Sequence, residues 1–197
     1  MLRLVLLVFA GVLPWRAGTP MFLTQDCDEG DHADLEKYGY DWTSSDGAFA
    51  VTAARGGTIT HLKINSRTGC DDPQCIDAAN LVVIDHGDGT QAIYLHLAAD
   101  SLAPGIACGS VVKAGQPLAV AGSTGWSNVV HLHFQVTAVR ADAPRCECGT
   151  DGRGCDPGYV PWASFWSSSK RPTLPVSFTQ WPDAASCADR RIEMPAR

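Results

Sequence analysis

Short hydrophobic runs separated by glycine-containing turns fill the middle of the chain, between residues 48 and 136. Runs of this length bounded by turn residues are typical of β-strands, and several in succession predict an all-β sandwich or barrel. No long amphipathic helix and no internal repeat is visible. The predicted strands cover residues 49–53, 58–64, 81–85, 91–97, 110–113, 117–121 and 131–136.

The runs 81–85 and 91–97 predict a β-hairpin, because an Asp-Gly pair suited to a tight turn lies between them. Side chains alternate between the two faces of a strand, which assigns Tyr94 and His96 to the face opposite Leu95. We therefore expect His96 to point away from the core. Tyr94 is expected to be a packing residue, although a face shared with His96 would also let it orient a substrate.

The final strand combines two histidines with apolar residues. In His131-Leu132-His133-Phe134, alternation places both imidazoles on one face and the two apolar side chains on the other. A face that carries two imidazoles is costly to bury and suits a metal ion. On its own this pattern is a weak signal; His96 on another predicted strand and the segment 32–41, with His32 and Asp41, strengthen it.

Four segments of the chain resemble the lysostaphin/LytM-type zinc endopeptidases, and the similarity extends over roughly residues 38–136. That family has a duplicated hybrid-motif β fold and hydrolyses peptide bonds in bacterial cell-wall cross-links, typically at glycine. The matching segments are Tyr94-Leu95-His96-Leu97, residues 112–118, Gly122-Ser123-Thr124-Gly125 and His131-Leu132-His133-Phe134.

The resemblance implies a role for each matching polar residue. His133 corresponds to a zinc ligand, and His131 and His96 correspond to the catalytic histidines. Asp41, in Tyr38-Gly39-Tyr40-Asp41-Trp42, matches the carboxylate ligand at the end of the family's H-x3-D motif. Two imidazoles and one carboxylate would leave the fourth position of a single Zn²⁺ ion open for water, as in catalytic zinc sites.

The first metal ligand of the family pattern is missing, because Lys37 stands four residues before Asp41. A protonated ammonium group cannot coordinate zinc. Either the site is inactive or His32, the only histidine before Asp41, takes over as ligand, and we favour His32. The β-lytic branch of the family has a similarly long insertion. Asp34 is a weaker substitute for Asp41.

Val129 and Val130 also depart from the family, which usually has Gly-Pro before the final histidine motif. The two β-branched residues either extend the strand backwards or narrow the groove and alter its specificity. We assign no catalytic role to His61, which we expect at the surface, or to His86, which we expect in the turn of the hairpin or behind the site.

The first residues of the chain predict export. A basic start and ten apolar residues from Leu4 to Leu13 precede Pro14 and the small residues Ala17 and Gly18. The apolar stretch is about half of the roughly 20 residues that span a bilayer, so a signal peptide is favoured over a membrane anchor. We expect residues 1–18 to be removed and the protein to be secreted or placed in the periplasm or cell envelope, without stable membrane insertion.

Eight cysteines, all beyond this leader, are consistent with an oxidising compartment and disulfides. Only one local pair, Cys70 with Cys75 across a turn-prone stretch, can be proposed from spacing. A zinc site at Cys146, Cys148 and Cys155 is the less favoured alternative, because the C-x2-C spacing is absent. We expect residues 19–141 to form the β domain and the Cys-, Gly- and Pro-rich residues 142–197 to form a loop-rich extension packed on it.

Charge narrows the function further. Fifteen basic against 21 acidic residues give a net charge of −6, and no basic cluster suits a nucleic acid. The favoured function is an exported zinc metalloendopeptidase that acts on peptidoglycan cross-links or Gly-rich peptides. A family member that has lost activity and binds cell wall or a partner hydrolase is the alternative. A phosphocarrier is disfavoured, since phosphohistidine transfer belongs in the cytosol.

Overall fold

A computed structural model describes residues 9–30, 32, 37–139 and 173–180 of the chain. Within these residues nearly all regular structure is β, which confirms the predicted all-β class, and one 3-10 helix spans Pro73–Ala78. The strands are β1 Phe9–Gly11, β2 Met21–Gln25, β3 Tyr40–Ser44, β4 Ala50–Thr52, β5 Gly57–Lys63, β6 Gly69–Cys70, β7 Leu81–Asp85, β8 Thr90–Leu95, β9 Val111–Val112, β10 Pro117–Val120, β11 Gly125–Trp126, β12 Leu132–Ala138 and β13 Val176–Phe178.

A seven-stranded antiparallel sheet organises the fold, in the strand order β2-β3-β12-β8-β7-β5-β9. Three two-stranded pairs complete it: β10 with β4 is antiparallel, whereas β1 with β13 and β11 with β6 are parallel. Each of the seven predicted strands is found. The predicted hairpin is β7 and β8, which pair in register across the Asp-Gly turn.

The two faces of the central strands have different roles. One face packs into the main core through large side chains such as Trp42 on β3 and Phe134 on β12. Asp41 immediately precedes Trp42, and His133 immediately precedes Phe134. Asp41 and His133 therefore point to the opposite face, because successive side chains of a strand alternate. Burial of the aromatic face therefore presents the polar residues together on the other side of the sheet.

The prediction that Tyr94 and His96 share a face is wrong, although His96 does point away from the core. Tyr94 lies in the main core and its hydroxyl oxygen accepts the backbone N–H of Ala54 at 2.8 Å. His96 comes after the last residue of β8 and has a positive φ of 62°, so it leaves the alternation of the strand. It turns instead to the face of Leu95, where both line one cavity. Tyr94 is thus a packing residue.

Two segments from the ends of the described chain meet in the core. Phe9 on β1 is buried against Phe134 and beside Phe178, and Trp15 packs edge-on against Trp42. Phe9 and Trp15 belong to the predicted leader, so cleavage after residue 18 would remove both from this packing. The boundary of the leader stays a prediction. The remaining boundaries, at 141 and 142, lie outside the described residues.

The Cys70–Cys75 disulfide predicted from spacing is present. Cys27 and Cys108 each take part in a disulfide as well. The three cysteines of the alternative zinc site, Cys146, Cys148 and Cys155, lie outside the described residues. Among the residues that are described, no helix is long and apolar enough to cross a membrane.

Candidate metal centre and catalytic histidines

Asp41 and His133 are cross-strand neighbours on the polar face of the sheet. The antiparallel pairing of β3 and β12 sets the two residues directly opposite each other. The Nδ1 atom of His133 lies 2.9 Å from Oδ1 of Asp41. Strand register alone therefore joins an imidazole and a carboxylate at one point.

His32 reaches the same point from the loop after β2. Its side chain is buried, and its Nε2 atom lies 3.2 Å from Nδ1 of His133 and 3.5 Å from Oδ1 of Asp41. The loop is held by a backbone hydrogen bond from the N–H of His32 to the carbonyl of Glu29, at 2.8 Å. These three side chains form the one group in the described part of the chain with the geometry to hold a metal ion.

The second ring nitrogen of each ligand histidine has a fixed partner. Nδ1 of His32 faces the backbone carbonyl of Asp26 at 3.2 Å, and Nε2 of His133 faces Oε1 of Gln135 at 2.8 Å. Both partners are acceptors, so each ring donates an N–H to its partner. With the other two ring nitrogens unprotonated, the lone pairs of both rings and the carboxylate of Asp41 converge on one point, an arrangement that suits a cation.

The spacing of these atoms fits a small tetrahedral cation. Zinc bonds to nitrogen and oxygen are about 2.0–2.2 Å long, which places two ligand atoms of a tetrahedron about 3.3 Å apart. The three separations here are 2.9, 3.2 and 3.5 Å. The residues present therefore fit a zinc ion with three protein ligands and one open position.

The carboxylate remains ionised in this environment. Burial alone would raise the pKa of Asp41, but the charge and hydrogen bond of His133 and the hydrogen bond of His32 hold that pKa well below its ordinary value. Asp41 thus keeps the negative charge that a divalent cation requires of its ligands.

Lys37, at the family's usual ligand position, is directed away from the centre. Its Nζ atom lies 3.1 Å from the carboxylate of Asp28, and both side chains are substantially exposed. The backbone N–H of Asp28 in turn donates to the carbonyl of Lys37 at 2.7 Å. The loop therefore places His32, not Lys37, at the centre. Asp34, the weaker candidate, lies outside the described residues.

His96 lies beside the centre in a constrained conformation. A positive φ is uncommon for a residue other than glycine and often accompanies a functional role. Nδ1 of His96 donates to the carbonyl of Thr124 at 2.7 Å. The hydroxyl of Thr124 donates to the carbonyl of Leu97 and accepts the backbone N–H of Asn80. This network orients the ring and leaves Nε2 of His96 free.

His131 packs against His96, with their ring centroids 4.4 Å apart and the rings tilted by 40°. Its Nδ1 atom lies 3.1 Å from the carbonyl of Val129 and 3.2 Å from the hydroxyl of Ser127. Its Nε2 atom lies 3.8 Å from Oδ2 of Asp41, too far for a hydrogen bond. The second nitrogen of His131 thus points to the metal centre without being one of its three converging ligands.

Both of these histidines are uncharged at neutral pH. Burial, followed by the neighbouring His131 and His133, lowers the pKa of His96 to about 3. Burial also lowers the pKa of His131, against the opposing effect of Asp41. A neutral imidazole with one free lone pair can accept a proton, so either ring is chemically able to serve as a base.

Val129 and Val130 neither extend the strand nor narrow the cavity. Strand β12 begins at Leu132, the side chain of Val129 is exposed, and neither valine lines the cavity. The carbonyls of these residues have a different use: that of Val129 faces His131, and that of Val130 accepts the hydroxyl of Thr43 at 2.7 Å.

The two histidines without an assigned role lie away from the metal centre. His61 is half-buried on β5. His86 packs against Phe9 and its Nδ1 atom donates to the carbonyl of Gly56 at 2.8 Å, so it supports the hairpin end of the sheet. Neither residue lines the cavity described next.

The metal centre opens into a cavity of about 450 Å³. His32, Asp41, His96, His131 and His133 all line it, so every histidine and carboxylate predicted for the site is brought together in one place. A cavity of this size accommodates a few residues of an extended peptide next to the convergent polar groups.

The family model "Peptidase family M23" matches residues 36–144, which is more than half of the chain. The chain belongs to peptidase family M23. The predicted family is thereby confirmed, and the matched region contains Asp41, His96, His131 and His133 but begins after His32. His32, the candidate for the first ligand, thus lies outside the part of the chain that the family model covers.

A curated relative of this M23 chain is the peptidoglycan DD-endopeptidase ShyB of Vibrio cholerae serotype O1. The two are 39% identical over 74 residues, which are 34% of this chain and 16% of ShyB. The chain therefore spans only a small part of the length of that relative.

Two solved structures are similar to parts of this chain. The SpoIIQ–SpoIIIAH pore-forming complex contains a chain that superposes with a TM-score of 0.50 at 20% identity, over 67% of this chain and 85% of that one. The catalytic domain of the prophage-encoded M23 protein EnpA from Enterococcus faecalis has a TM-score of 0.48 at 20% identity, over 67% and 92% of the two chains. Likeness at this identity concerns the fold alone.

Three supporting residues were missed by the sequence analysis: Gln135, Thr124 and Ser127. Gln135 follows His133 by two positions, so the alternation of β12 already placed both side chains on one face. Thr124 contacts His96 across 28 residues and Ser127 contacts His131 across four, and no periodicity in the sequence indicates either contact.

Proposed function

We propose that this protein is an exported zinc metalloendopeptidase that cleaves peptide bonds in peptidoglycan cross-links or similar Gly-rich peptides. The observation that carries the proposal is the convergence of three acceptor atoms, from His32, Asp41 and His133, at the separations of a tetrahedral zinc site. Membership of family M23 and the similarity to a peptidoglycan DD-endopeptidase support this substrate class.

The three ligands would hold one zinc ion and leave one coordination position toward the cavity. When bound, zinc polarises a carbonyl oxygen and lowers the pKa of a coordinated water to about 7. Gln135 and the carbonyl of Asp26 keep the two imidazoles in the tautomers that coordinate.

His96 and His131 are the groups proposed to move protons and to stabilise charge on the substrate. Each has its Nδ1 hydrogen donated to a fixed backbone carbonyl, of Thr124 and Val129 respectively, so each presents Nε2 to the reacting atoms. One ring accepts a proton from the attacking water and passes it to the leaving amine. The other, after its Nε2 has taken up a proton from solvent, donates that N–H to the negative charge that develops on the carbonyl oxygen.

The alternative is a protein that binds cell wall or a partner hydrolase without hydrolysis. Its support in the sequence is Lys37 at the usual ligand position. Lys37 pairs with Asp28, and His32 lies beside His133, which favours the peptidase over this alternative.

Hydrolysis assays separate the two functions. Purified protein is incubated with peptidoglycan and with glycine-containing peptides before metal removal by a chelator, after removal, and after addition of zinc. The proposal predicts new amine termini that disappear with the chelator and return with zinc. Wall binding that is unaffected by the chelator, with no new termini in any sample, would establish the alternative.

A further inference from the structure

The cavity has a wall that the proposed chemistry does not use. Strand β6 pairs in parallel with β11, which places Cys70 opposite Trp126. The 3-10 helix Pro73–Ala78 follows, and the Cys70–Cys75 disulfide closes the intervening turn. We call residues 69–78 the disulfide wall. Asp71 and Ile76 of this wall line the same cavity as the metal ligands.

The disulfide wall is fixed rigidly to the site. A Cβ atom at Gly69 would lie 1.8 Å from the carbonyl oxygen of Ser123, and one at Gly125 would lie 2.6 Å from Cβ of Ala79. Backbone contacts this close are possible only for glycine. The backbone N–H of Ser127 donates to the carbonyl of Cys70 at 3.0 Å. The wall thus has one defined position relative to the histidines.

One surface of the cavity, formed by Ile76 of the disulfide wall and by residues outside the wall, is apolar. Ile76 and Ala79 face the cavity together with Leu95, and Trp126 stands beside them. The Trp126 side chain is 38% exposed although it is large and apolar. A surface tryptophan next to aliphatic side chains is the kind of surface on which a hydrocarbon chain packs.

Of the three aspartates in residues 69–78, only Asp71 lines the cavity. Asp71 is exposed, and its carboxylate has no ion-pair or hydrogen-bond partner among the described residues. Among the described residues, no lysine or arginine lines the cavity, and the other carboxylate there, Asp41, belongs to the candidate metal centre. An apolar strip that ends at a free carboxylate complements a side chain with an aliphatic stem and a terminal ammonium.

We propose that the disulfide wall, together with Trp126, is a specificity subsite for a substrate residue with a cationic diamino side chain, such as lysine. The aliphatic stem packs on Trp126 and Ile76, and the ammonium pairs with Asp71. An acidic side chain at the same position is repelled by Asp71. This inference rests on the proposed endopeptidase function and assigns the residue type that the site selects next to the scissile bond.

A set of matched peptides tests the subsite. The peptides share one glycine-containing sequence and differ only in one residue beside the scissile bond, which is lysine, norleucine, acetyl-lysine or glutamate. Norleucine keeps the stem without the charge, and acetyl-lysine keeps the length without the charge. The protein variants are Asp71→Asn, Trp126→Ala and, as a control, Asp46→Asn, which removes an exposed carboxylate outside the cavity.

The wild type and the Asp46→Asn variant are expected to cleave the lysine peptide about fivefold more efficiently, by kcat/KM, than the norleucine or acetyl-lysine peptide, in the range of an exposed ion pair. The glutamate peptide is the poorest. Asp71→Asn lowers kcat/KM for the lysine peptide to the value for the norleucine peptide. Trp126→Ala lowers kcat/KM for both peptides. Equal cleavage of lysine and norleucine peptides by the wild type, or a lysine preference that survives Asp71→Asn, overturns the subsite and leaves the peptidase function standing.

Binding measured by calorimetry separates the failure of the two proposals. If the wild type cleaves none of the peptides, the peptidase function fails. The dissociation constants of the same peptides then decide the subsite: tighter binding of lysine than of norleucine that depends on Asp71 supports it, and equal binding rejects it.

Discussion

His133 and Asp41 lie directly opposite each other on adjacent antiparallel strands, and Nδ1 of the histidine is 2.9 Å from Oδ1 of the aspartate. Two of the three proposed metal ligands are therefore positioned by the same hydrogen-bonded register that builds the core. The third ligand, His32, comes from a loop and depends on local hydrogen bonds. The proposed metal centre thus combines two ligands fixed by the sheet with one ligand from a loop, which a different loop sequence can replace.

Replacement of His96 by alanine should leave the metal bound and abolish hydrolysis. His96 is not among the three converging ligands, yet its ring faces the cavity and is neutral at neutral pH. Removal of a proton-transfer group typically costs about 10²–10⁴ in rate. Metal content and kcat measured on the same preparation test this. His133→Ala is the matched comparison and should lose the metal, and equal metal loss in both variants would refute the assigned roles.

Replacement of Gln135 by leucine should weaken metal binding without unfolding the protein. Gln135 accepts the outward N–H of His133 and so holds Nδ1 in the coordinating form. Loss of such an outer partner typically costs about 10–100-fold in metal affinity. Competition with a chromogenic chelator measures the affinity. Gln91→Leu, a second buried glutamine on the same sheet, is the control and should keep the wild-type value.

Removal of the Cys70–Cys75 disulfide should destabilise the protein modestly. Because the bridge closes a loop of only a few residues, chain entropy predicts a loss of about 2 kcal/mol in the free energy of unfolding. For a domain of this size that is a fall of about 4–8 °C in Tm. Calorimetric melting of the Cys70→Ser/Cys75→Ser double variant tests the value. An unchanged Tm would show that the bridge does not constrain the unfolded chain.

Acidification should destabilise the fold in part through His86. Burial lowers the pKa of His86 in the folded state, whereas in the unfolded chain it returns to about 6.5. The unfolded state therefore binds more protons below that pH, so the free energy of unfolding falls as the pH drops through about 6.5. His86→Asn keeps a donor toward Gly56 and cannot titrate.

Urea denaturation at pH 7.5 and pH 5 measures this contribution of His86. The loss of stability between the two values should be smaller in His86→Asn than in the wild type. Equal losses in the two proteins would mean that His86 does not take up a proton on unfolding, contrary to its burial against Phe9.

The strands with clear alternation could be predicted from sequence, and those held by other contacts could not. Strands such as β8 and β12 have long apolar runs between turn residues, so period two locates them. The two-residue β6 and β11 exist because glycines permit close backbone contact, which no hydrophobic pattern reveals. Strand β3 was hidden because the pattern around Asp41 was interpreted as a ligand motif only.

The residues of the site also divide into those that the sequence pattern predicts and those that depend on other contacts. The positions of His131 and His133 follow from alternation on one strand, and Asp41 and His96 from motif resemblance. His96 reaches the site through a positive φ, which reverses the face that alternation predicts for it. The disulfide wall, with Asp71 and Trp126, depends on loop packing between distant segments, for which the sequence has no periodic signal.

The most direct test of the account is the metal content of the purified protein and of two variants in the loop before β3. Zinc is measured by plasma mass spectrometry in the wild type, His32→Ala and Lys37→Ala, with circular dichroism to confirm that each is folded. We predict about one zinc per chain in the wild type and in Lys37→Ala, and loss of zinc in His32→Ala. A folded His32→Ala protein that binds zinc as tightly as the wild type would contradict the account.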